Sequence, residues 1–120
     1  MKIKKRLKTL LPTLKEKKRY IAFEIVSDKE IKDFKEVSDE IMARSQQLIG
    51  ELGIAKAGMQ ILKDCFKPQK QRGIIKTNHK SIDEIKTALS FIKNIKDQKA
   101  VVNPIGVSGI LKKAKQRYLQ

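Results

Sequence analysis

The fold is decided by residues 72–95, which read RGIIKTNHKSIDEIKTALSFIKNI. The β-branched side chains near the start of this stretch predict a strand from Arg72 to His79. Ser81 and Glu84 have the Ser-x-x-Glu spacing of a capping box, so we expect a helix to begin there. Its buried side is predicted by apolar residues at helical spacing, namely Ile82, Ile85, Leu89, Ile92 and Ile95.

A similar strand-and-helix unit precedes this stretch. Residues 19–26 predict a first strand, because β-branched and aromatic side chains dominate them. Ser27 and Glu30 again have capping-box spacing, which predicts a helix that ends near Gly50 or Gly53. Residues 55–66 alternate loosely and predict a second strand, paired in a hairpin with the strand of residues 72–79. The apolar positions of the first helix are Ile31, Phe34, Val37, Ile41 and Leu48.

The last quarter of the chain predicts one more strand and one more helix. Residues 99–102 read as a fourth strand that ends at Asn103 and Pro104, and residues 107–118 form a basic amphipathic helix. The order β-α-β-β-α-β-α predicts an α/β fold (an α+β sandwich) of the split β-α-β type. In this RNA-recognition-module-like fold, both main helices lie on one face of an antiparallel four-stranded sheet. We expect a protein partner, rather than the C-terminal helix, to cover the second face.

The distribution of charge points to a polyanionic partner. The chain has 28 Lys and Arg against 13 Asp and Glu, a formal net charge of +15. Three segments are basic, residues 1–20, 63–80 and 107–120, while residues 21–62 hold more acids than bases. Such segregation favours binding to a nucleic acid over a merely solubilising role. We divide the chain into a basic N-terminal arm, residues 1–14, and a single RNA-binding domain, residues 15–120.

Catalytic chemistry is poorly represented in the sequence. His79 and Cys65 are the only histidine and the only cysteine, which disfavours a metal-dependent nuclease or a nucleophile–histidine pair. No apolar run approaches the ~20 residues that would span a bilayer, so we expect no membrane contact. The single cysteine fits a reducing compartment, and we predict a cytoplasmic protein. A ribosomal or other structural-RNA-binding protein and a protein-interaction scaffold remain as alternatives.

The predicted mode of RNA contact is through phosphates. Aromatic residues make up 5% of the chain and Trp is absent, so base stacking is disfavoured. Lys and Arg side chains that meet the backbone of a folded RNA are the better interpretation. The residues predicted to contact RNA are Lys15, Lys17, Lys18, Arg19, Arg72, Lys76, Lys112, Lys113 and Lys115, with Ser108 and the Gly109 amide as further candidates.

Three blocks of sequence resemble a known family. The first is residues 11–24, LPTLKEKKRYIAFE, and the third is residues 106–114, GVSGILKKA. The second is discontinuous and consists of Gly50-Glu51-Leu52-Gly53, Ala57-Gly58-Met59, Arg72-Gly73-Ile74-Ile75, His79, Asp83-Glu84-Ile85 and Ala88-Leu89. Together they are similar to archaeal ribonuclease P protein component 2, which is shared with the eukaryotic ribonuclease P and MRP particles. The loop of residues 67–71 and the Lys-rich start are not features that the family requires.

The resemblance implies a function. It implies a subunit that binds the catalytic ribonuclease P RNA, beside ribonuclease P protein component 3, in an enzyme that removes 5′ leaders from precursor tRNA. Two copies of each protein can form a heterotetramer, which allows a homodimer contact between two copies of this chain. The RNA, with its bound Mg²⁺, would perform the reaction, so neither a cofactor nor a catalytic residue is expected on this chain.

Overall fold

The computed structural model describes residues 17–120, so Lys15 and the predicted arm of residues 1–14 lie outside the described part. Five strands and three helices are present, and the expected fold class is confirmed. Short 3₁₀ turns occupy Lys63–Cys65 and His79–Ser81. The elements are β1 (Lys18–Ser27), α1 (Phe34–Ala57), β2 (Gln60–Ile61), β3 (Arg72–Asn78), α2 (Ile82–Ser90), β4 (Asn94–Ile95), β5 (Gln98–Ser108) and α3 (Leu111–Tyr118).

The strands form one sheet in the order β2-β3-β1-β5-β4. β1 lies in the centre and is antiparallel to both of its neighbours. The units β1-α1-β2 and β3-α2-β5 therefore interleave, as the split β-α-β prediction requires. The sheet has five strands instead of the expected four, because the segment after α2 forms a small hairpin. In that hairpin Asn94 pairs with Lys99, and Ile95 pairs with Gln98.

β5 continues beyond Pro104, where the sequence predicted its end. In β1, Phe23 pairs with Pro104. Its neighbour Ala22 pairs with Gly106, so Ile105 is an extra residue in a β-bulge. β4 pairs only with the first two residues of β5, which leaves the outer edge of β5 unpaired at the proline. A proline lacks the N–H of a ladder hydrogen bond, and a bulged edge is where a strand tolerates it.

α1 begins at Phe34, and the prediction of a capping box at Ser27 was wrong. Ile31 donates its N–H to the side-chain oxygen of Gln71 at 2.9 Å and accepts a hydrogen bond from the Gln71 amide nitrogen at 2.8 Å. Its backbone groups are thus committed to a distant loop, so the helix begins later. Asp33 supplies the cap, since its carboxylate accepts the N–H two residues further on at 2.9 Å.

α1 also extends further than the sequence predicted. Gly50 has a φ of 72° and a ψ of 175°, so the helical backbone is broken at this predicted end and resumes beyond it. The helix ends at Ala57, and Gly58 follows with a φ of 59°, the left-handed conformation typical of a helix terminus. The strand predicted over residues 55–66 is accordingly reduced to the two residues of β2.

The two faces of the sheet carry two separate buried clusters. The first cluster lies under α1 and α2 and contains buried residues from every strand except β2, including Phe23, Ile75 and Leu89. The second cluster lies on the opposite face, under α3. The expectation that a protein partner covers this face was wrong for its central part, because α3 packs there. The buried residues of the second cluster are Cys65, Ile74, Ala114 and Leu119, with Tyr20, Leu62, Leu111 and Tyr118 packed against them.

Candidate nucleic-acid interface

One end of the sheet gathers most of the residues predicted to contact RNA. The start of β1 lies beside the end of β5, because Tyr20 pairs with Ser108. On its other side Tyr20 pairs with Lys76 of β3. α3 begins three residues after Ser108, so its first turn starts from the same place. We call this region the basic end; its members are Lys17, Lys18, Arg19, Lys76, Ser108, Gly109, Lys112 and Lys113.

Arg19 links the strand to the turn before α3. Its Nη1 donates to the Lys18 carbonyl at 2.9 Å. The guanidinium lies against Gly109, since a Cβ built on that glycine would be 3.6 Å from Nη1. The delocalised cation and the exposed backbone at Gly109 thus lie side by side on one surface. Guanidinium groups in such positions suit phosphate oxygens, which accept several hydrogen bonds at once.

The Ser108 hydroxyl organises the turn before α3. It accepts the Ile110 N–H at 3.1 Å and donates to the Ile110 carbonyl at 3.0 Å. The cap residue of α3 is Ile110, and it makes no side-chain hydrogen bond to the first turn. The first amide groups of a helix carry partial positive charge and attract anions. The turn thus presents a helix N-terminus next to Arg19, while Ser108 itself serves the local backbone.

The lysines of α3 fall on two sides of the helix. Leu111 and Ala114 face the second cluster, so Lys112 and Lys113 extend into solvent. Lys115 lies elsewhere and lines a cavity of about 310 Å³, whose other lining residues are Asp64, Cys65, Lys67, Leu119 and Gln120. Burial raises the pKa of the Cys65 thiol, and the Lys115 charge acts in the opposite direction. Lys115 is therefore separate from the basic end.

Arg72 is also separate from the basic end. It lies at the opposite end of β3 from Asn78, and its Nε is 2.8 Å from Oε2 of Glu24. Its Nη1 donates to the Tyr118 carbonyl at 2.9 Å, at the end of α3. Two of its donor atoms are thus used within the chain. RNA contact by Arg72 stays a prediction, as it does for the other residues named for that role.

The structure adds two basic residues that the sequence reasoning omitted. Lys80 is exposed in the turn after β3, and the preceding His79 donates its N–H to the Lys17 carbonyl at 2.9 Å. Lys80 therefore lies next to the basic end without being counted among its members. Arg117 is exposed on α3, one turn beyond Lys113. Its place in the basic helix was visible in the sequence, whereas the position of Lys80 depends on the pairing of β1 with β3.

Two ion pairs of α1 lie away from the basic end. Glu36 of α1 binds Lys96 of the β4–β5 turn at 3.0 Å, and Glu40 binds Arg44 at 3.2 Å. Among residues 17–120, the ion pairs of Glu24, Glu36 and Glu40 are made with Arg72, Lys96 and Arg44, which lie outside the basic end. A strand of ten residues separates the two ends of the sheet by ~30 Å. The Glu36–Lys96 pair is thus remote from the basic end.

No group of three or more His, Cys, Asp or Glu side chains within residues 17–120 is arranged to hold a metal ion. No helix of the described part is long and apolar enough to cross a membrane.

Comparison with known proteins identifies the family. The chain is 37% identical over 115 residues to Ribonuclease P protein component 2 of Pyrococcus abyssi, covering 95% of this chain and 94% of that protein. It is 37% identical over 113 residues to the protein of the same name from Methanocaldococcus jannaschii, covering 94% of this chain and 81% of the relative.

A solved structure supports the fold. A chain in the cryo-EM structure of yeast ribonuclease MRP superposes with a TM-score of 0.61 at 14% identity, covering 78% of this chain and 75% of that one. The sequence model of the Rpp14/Pop5 family matches residues 19–119, which span all the described strands and helices except the first residue of β1. With that match and with relatives of this identity along nearly its whole length, the chain belongs to the Rpp14/Pop5 family.

Proposed function

We propose that this chain is a protein subunit of ribonuclease P, which binds and stabilises the catalytic RNA so that the holoenzyme removes 5′ leaders from precursor tRNA. Family membership and the name of its archaeal relatives support this role. In this proposal the RNA and its bound Mg²⁺ perform the reaction, and the chain carries neither a cofactor nor a catalytic residue. We place the particle in the cytoplasm.

The observation that carries the proposal is the basic end. Strand pairing brings cations from β1, β3 and α3 to one region, although they are up to 95 residues apart in the sequence. Their like charges repel one another, and the ion pairs of Glu24, Glu36 and Glu40 are made with other cations. Such an arrangement costs stability in the free protein and becomes favourable against a polyanion.

The structure favours contact with the RNA backbone over base stacking. Modules that stack bases display aromatic rings on an open sheet face. Here α3 covers the centre of that face, and Tyr20 and Tyr118 pack against the second cluster beneath it. If six to ten phosphates are neutralised, affinity should fall about 10³–10⁵-fold between about 50 and 200 mM salt.

The proposal includes protein partners. We propose that ribonuclease P protein component 3 binds this chain, in a heterotetramer with two copies of each protein that allows a homodimer contact. Exposed apolar side chains on the helices support protein contacts, since Leu52 of α1 is 79% exposed and Phe91 at the end of α2 is 52% exposed. Precursor tRNA would meet the chain through the assembled particle.

Reconstitution tests the function. The purified chain, the cognate ribonuclease P RNA and component 3 are combined, and cleavage of a precursor tRNA is followed over a Mg²⁺ titration. We expect no cleavage by the protein alone and a lower Mg²⁺ requirement when both proteins accompany the RNA. An unchanged Mg²⁺ requirement, together with equal affinity for ribosomal RNA, would overturn the proposal.

Charge reversal tests the basic end. We expect Lys112→Glu with Lys113→Glu to weaken binding of the RNA by ~10²-fold or more, since two phosphate contacts are lost and two repulsions are added. The matched control is Lys32→Glu with Lys93→Glu, which changes the net charge equally at exposed positions away from the basic end. The control should bind within a few-fold of the unaltered chain; an equal loss in both would indicate a general effect of net charge.

A further inference from the structure

The C-terminal helix α3 has little apolar surface with which to hold its position. It has eight residues, and isolated helices shorter than about 12–15 residues are marginal in water. Of its own residues only Ala114 is fully buried, with Leu119 just beyond its end. Four of its eight side chains are basic and none is acidic, so mutual repulsion opposes the helix further. Contacts outside the apolar cluster must therefore contribute to its docking.

Two contacts at its C-terminal end supplement the fully buried side chains. The Tyr118 ring rests on the backbone of β5, where a Cβ built on Gly106 would be 2.0 Å from the ring. The second is what we call the arginine bridge: Arg72 of β3 binds the Glu24 carboxylate of β1 and the Tyr118 carbonyl at once. Helix C-terminal carbonyls lack partners within the helix and carry partial negative charge, so a cation there is favourable. The bridge thus ties the helix end to two adjacent strands.

We propose that Arg72 is a positioning residue, which holds α3 against the sheet so that Lys112 and Lys113 meet the RNA as part of the basic end. This inference rests on the proposed function. It replaces the direct phosphate contact predicted for Arg72 from its charge alone. A docked helix presents its lysines with their positions already fixed, whereas a loose helix must be ordered when RNA binds, and ordering lowers affinity.

The two roles of Arg72 predict opposite effects for its partner. If Arg72 contacted phosphate, Glu24 would compete with the RNA for the guanidinium and would repel the RNA. Glu24→Gln should then raise RNA affinity. If Arg72 positions α3, the same substitution weakens the bridge and releases the helix. RNA affinity should then fall although a negative charge has been removed.

The docking of α3 can be measured without RNA. Cys65 is the only cysteine of the chain, it is 3% exposed, and it belongs to the same buried cluster as Ala114 and Leu119. Its rate of labelling by an uncharged maleimide therefore reports opening of the second cluster. We expect Glu24→Gln and Arg72→Lys to increase that rate by ~3–10-fold under conditions where circular dichroism shows the fold to be intact. Unchanged labelling in both variants would overturn the proposal.

RNA affinity completes the test. We expect Glu24→Gln to weaken binding of the ribonuclease P RNA by ~3–10-fold. The RNA affinity of Arg72→Lys should lie between those of Glu24→Gln and the unaltered chain, because an ammonium cannot present two forked donors. The control is Glu40→Gln, which breaks the Glu40–Arg44 pair of α1, a pair of similar exposure. It should change neither labelling nor affinity. Tighter RNA binding by Glu24→Gln would restore the phosphate-contact role and overturn the positioning role.

The outcomes separate this inference from the proposed function. If the unaltered chain does not bind the RNA, the proposed function fails whatever the labelling shows. If the chain binds the RNA but faster Cys65 labelling leaves affinity unchanged, the proposed function stands and the positioning role fails.

Discussion

The two faces of the central sheet are covered by very different amounts of protein. Under α1 and α2, the first cluster buries sixteen side chains of the described residues, whereas the second cluster under α3 buries four. Hydrophobic stabilisation grows with the apolar area removed from water, so the first face supplies most of the free energy of folding. Yet it is the weakly covered face whose helix carries Lys112 and Lys113. The fold and the basic surface thus depend on opposite sides of one sheet.

This difference has a consequence for stability and binding. Loss of contacts in the first cluster should unfold the whole chain, while loss in the second should first release α3. The proposed RNA contacts would then be sensitive to changes that leave the sheet intact.

The largest effect is expected from a matched pair of neighbours on β3. Ile74 and Ile75 are both fully buried, but Ile74 belongs to the second cluster and Ile75 to the first. We expect Ile75→Ala to lower the free energy of unfolding by about 4 kcal/mol and Ile74→Ala by about 2 kcal/mol, because α3 can settle into the space. Urea unfolding followed by circular dichroism measures both. Equal losses of unfolding free energy would contradict the claim that the first cluster contributes more stability than the second.

A second pair of substitutions adds atoms instead of removing them. A Cβ on Gly73 would lie 2.6 Å from Cζ of Phe23, a fully buried ring of the first cluster. A Cβ on Gly106 would lie 2.0 Å from the ring of Tyr118, which is only partly buried at the edge of the second. Gly73→Ala should therefore cost about 2–3 kcal/mol, while Gly106→Ala should cost about 1 kcal/mol because Tyr118 can move outward.

Binding should show the reverse order for these two glycines. At a temperature where both variants are folded, Gly106→Ala should weaken RNA binding more than Gly73→Ala, since only the former displaces α3. Filter binding at fixed salt measures this. A greater loss of affinity in Gly73→Ala would show that the sheet, and not the helix, governs contact with RNA.

The sequence could predict the elements whose signals are local. The strand before α2 and the start of α2 were correct to within a residue, because a β-branched run and an amphipathic stripe follow each other there. The stripe also identified Ile92 and Ile95 as buried, although α2 ends at Ser90 and these residues belong to the following turn and to β4. Hydrophobic spacing therefore predicted burial more reliably than it predicted the bounds of the helix.

The rest depends on contacts between distant residues. Gln71 holds Ile31 from forty residues away and delays α1, which no local pattern indicates. Thr77 and Asn78 are polar yet buried, because their side chains donate to the last carbonyls of α1. Arg72 was predicted from its charge to contact RNA, whereas its pairing with Glu24 and Tyr118 becomes visible only in three dimensions. Long-range pairing of this kind lies outside what spacing and composition can predict.

The smallest expected effect concerns pH and again separates the two faces. Burial raises the pKa of Cys65 above its ordinary value of 9.0, so the folded state keeps the thiol proton at a pH where the unfolded state loses it. Stability from this group is therefore complete below about pH 9 and falls as the pH rises towards the folded pKa. Cys65→Ala should remove that part of the pH dependence, which a comparison of unfolding free energies below and above about pH 9 measures.

Because the thiol lies in the second cluster, the loss at high pH should accompany faster amide exchange in α3, notably at the Leu119 N–H that binds the Lys115 carbonyl at 3.0 Å. If the alkaline loss of stability persisted in Cys65→Ala, or if amide exchange increased equally in α2, the loss would arise from groups throughout the chain and not from the thiol of the second cluster.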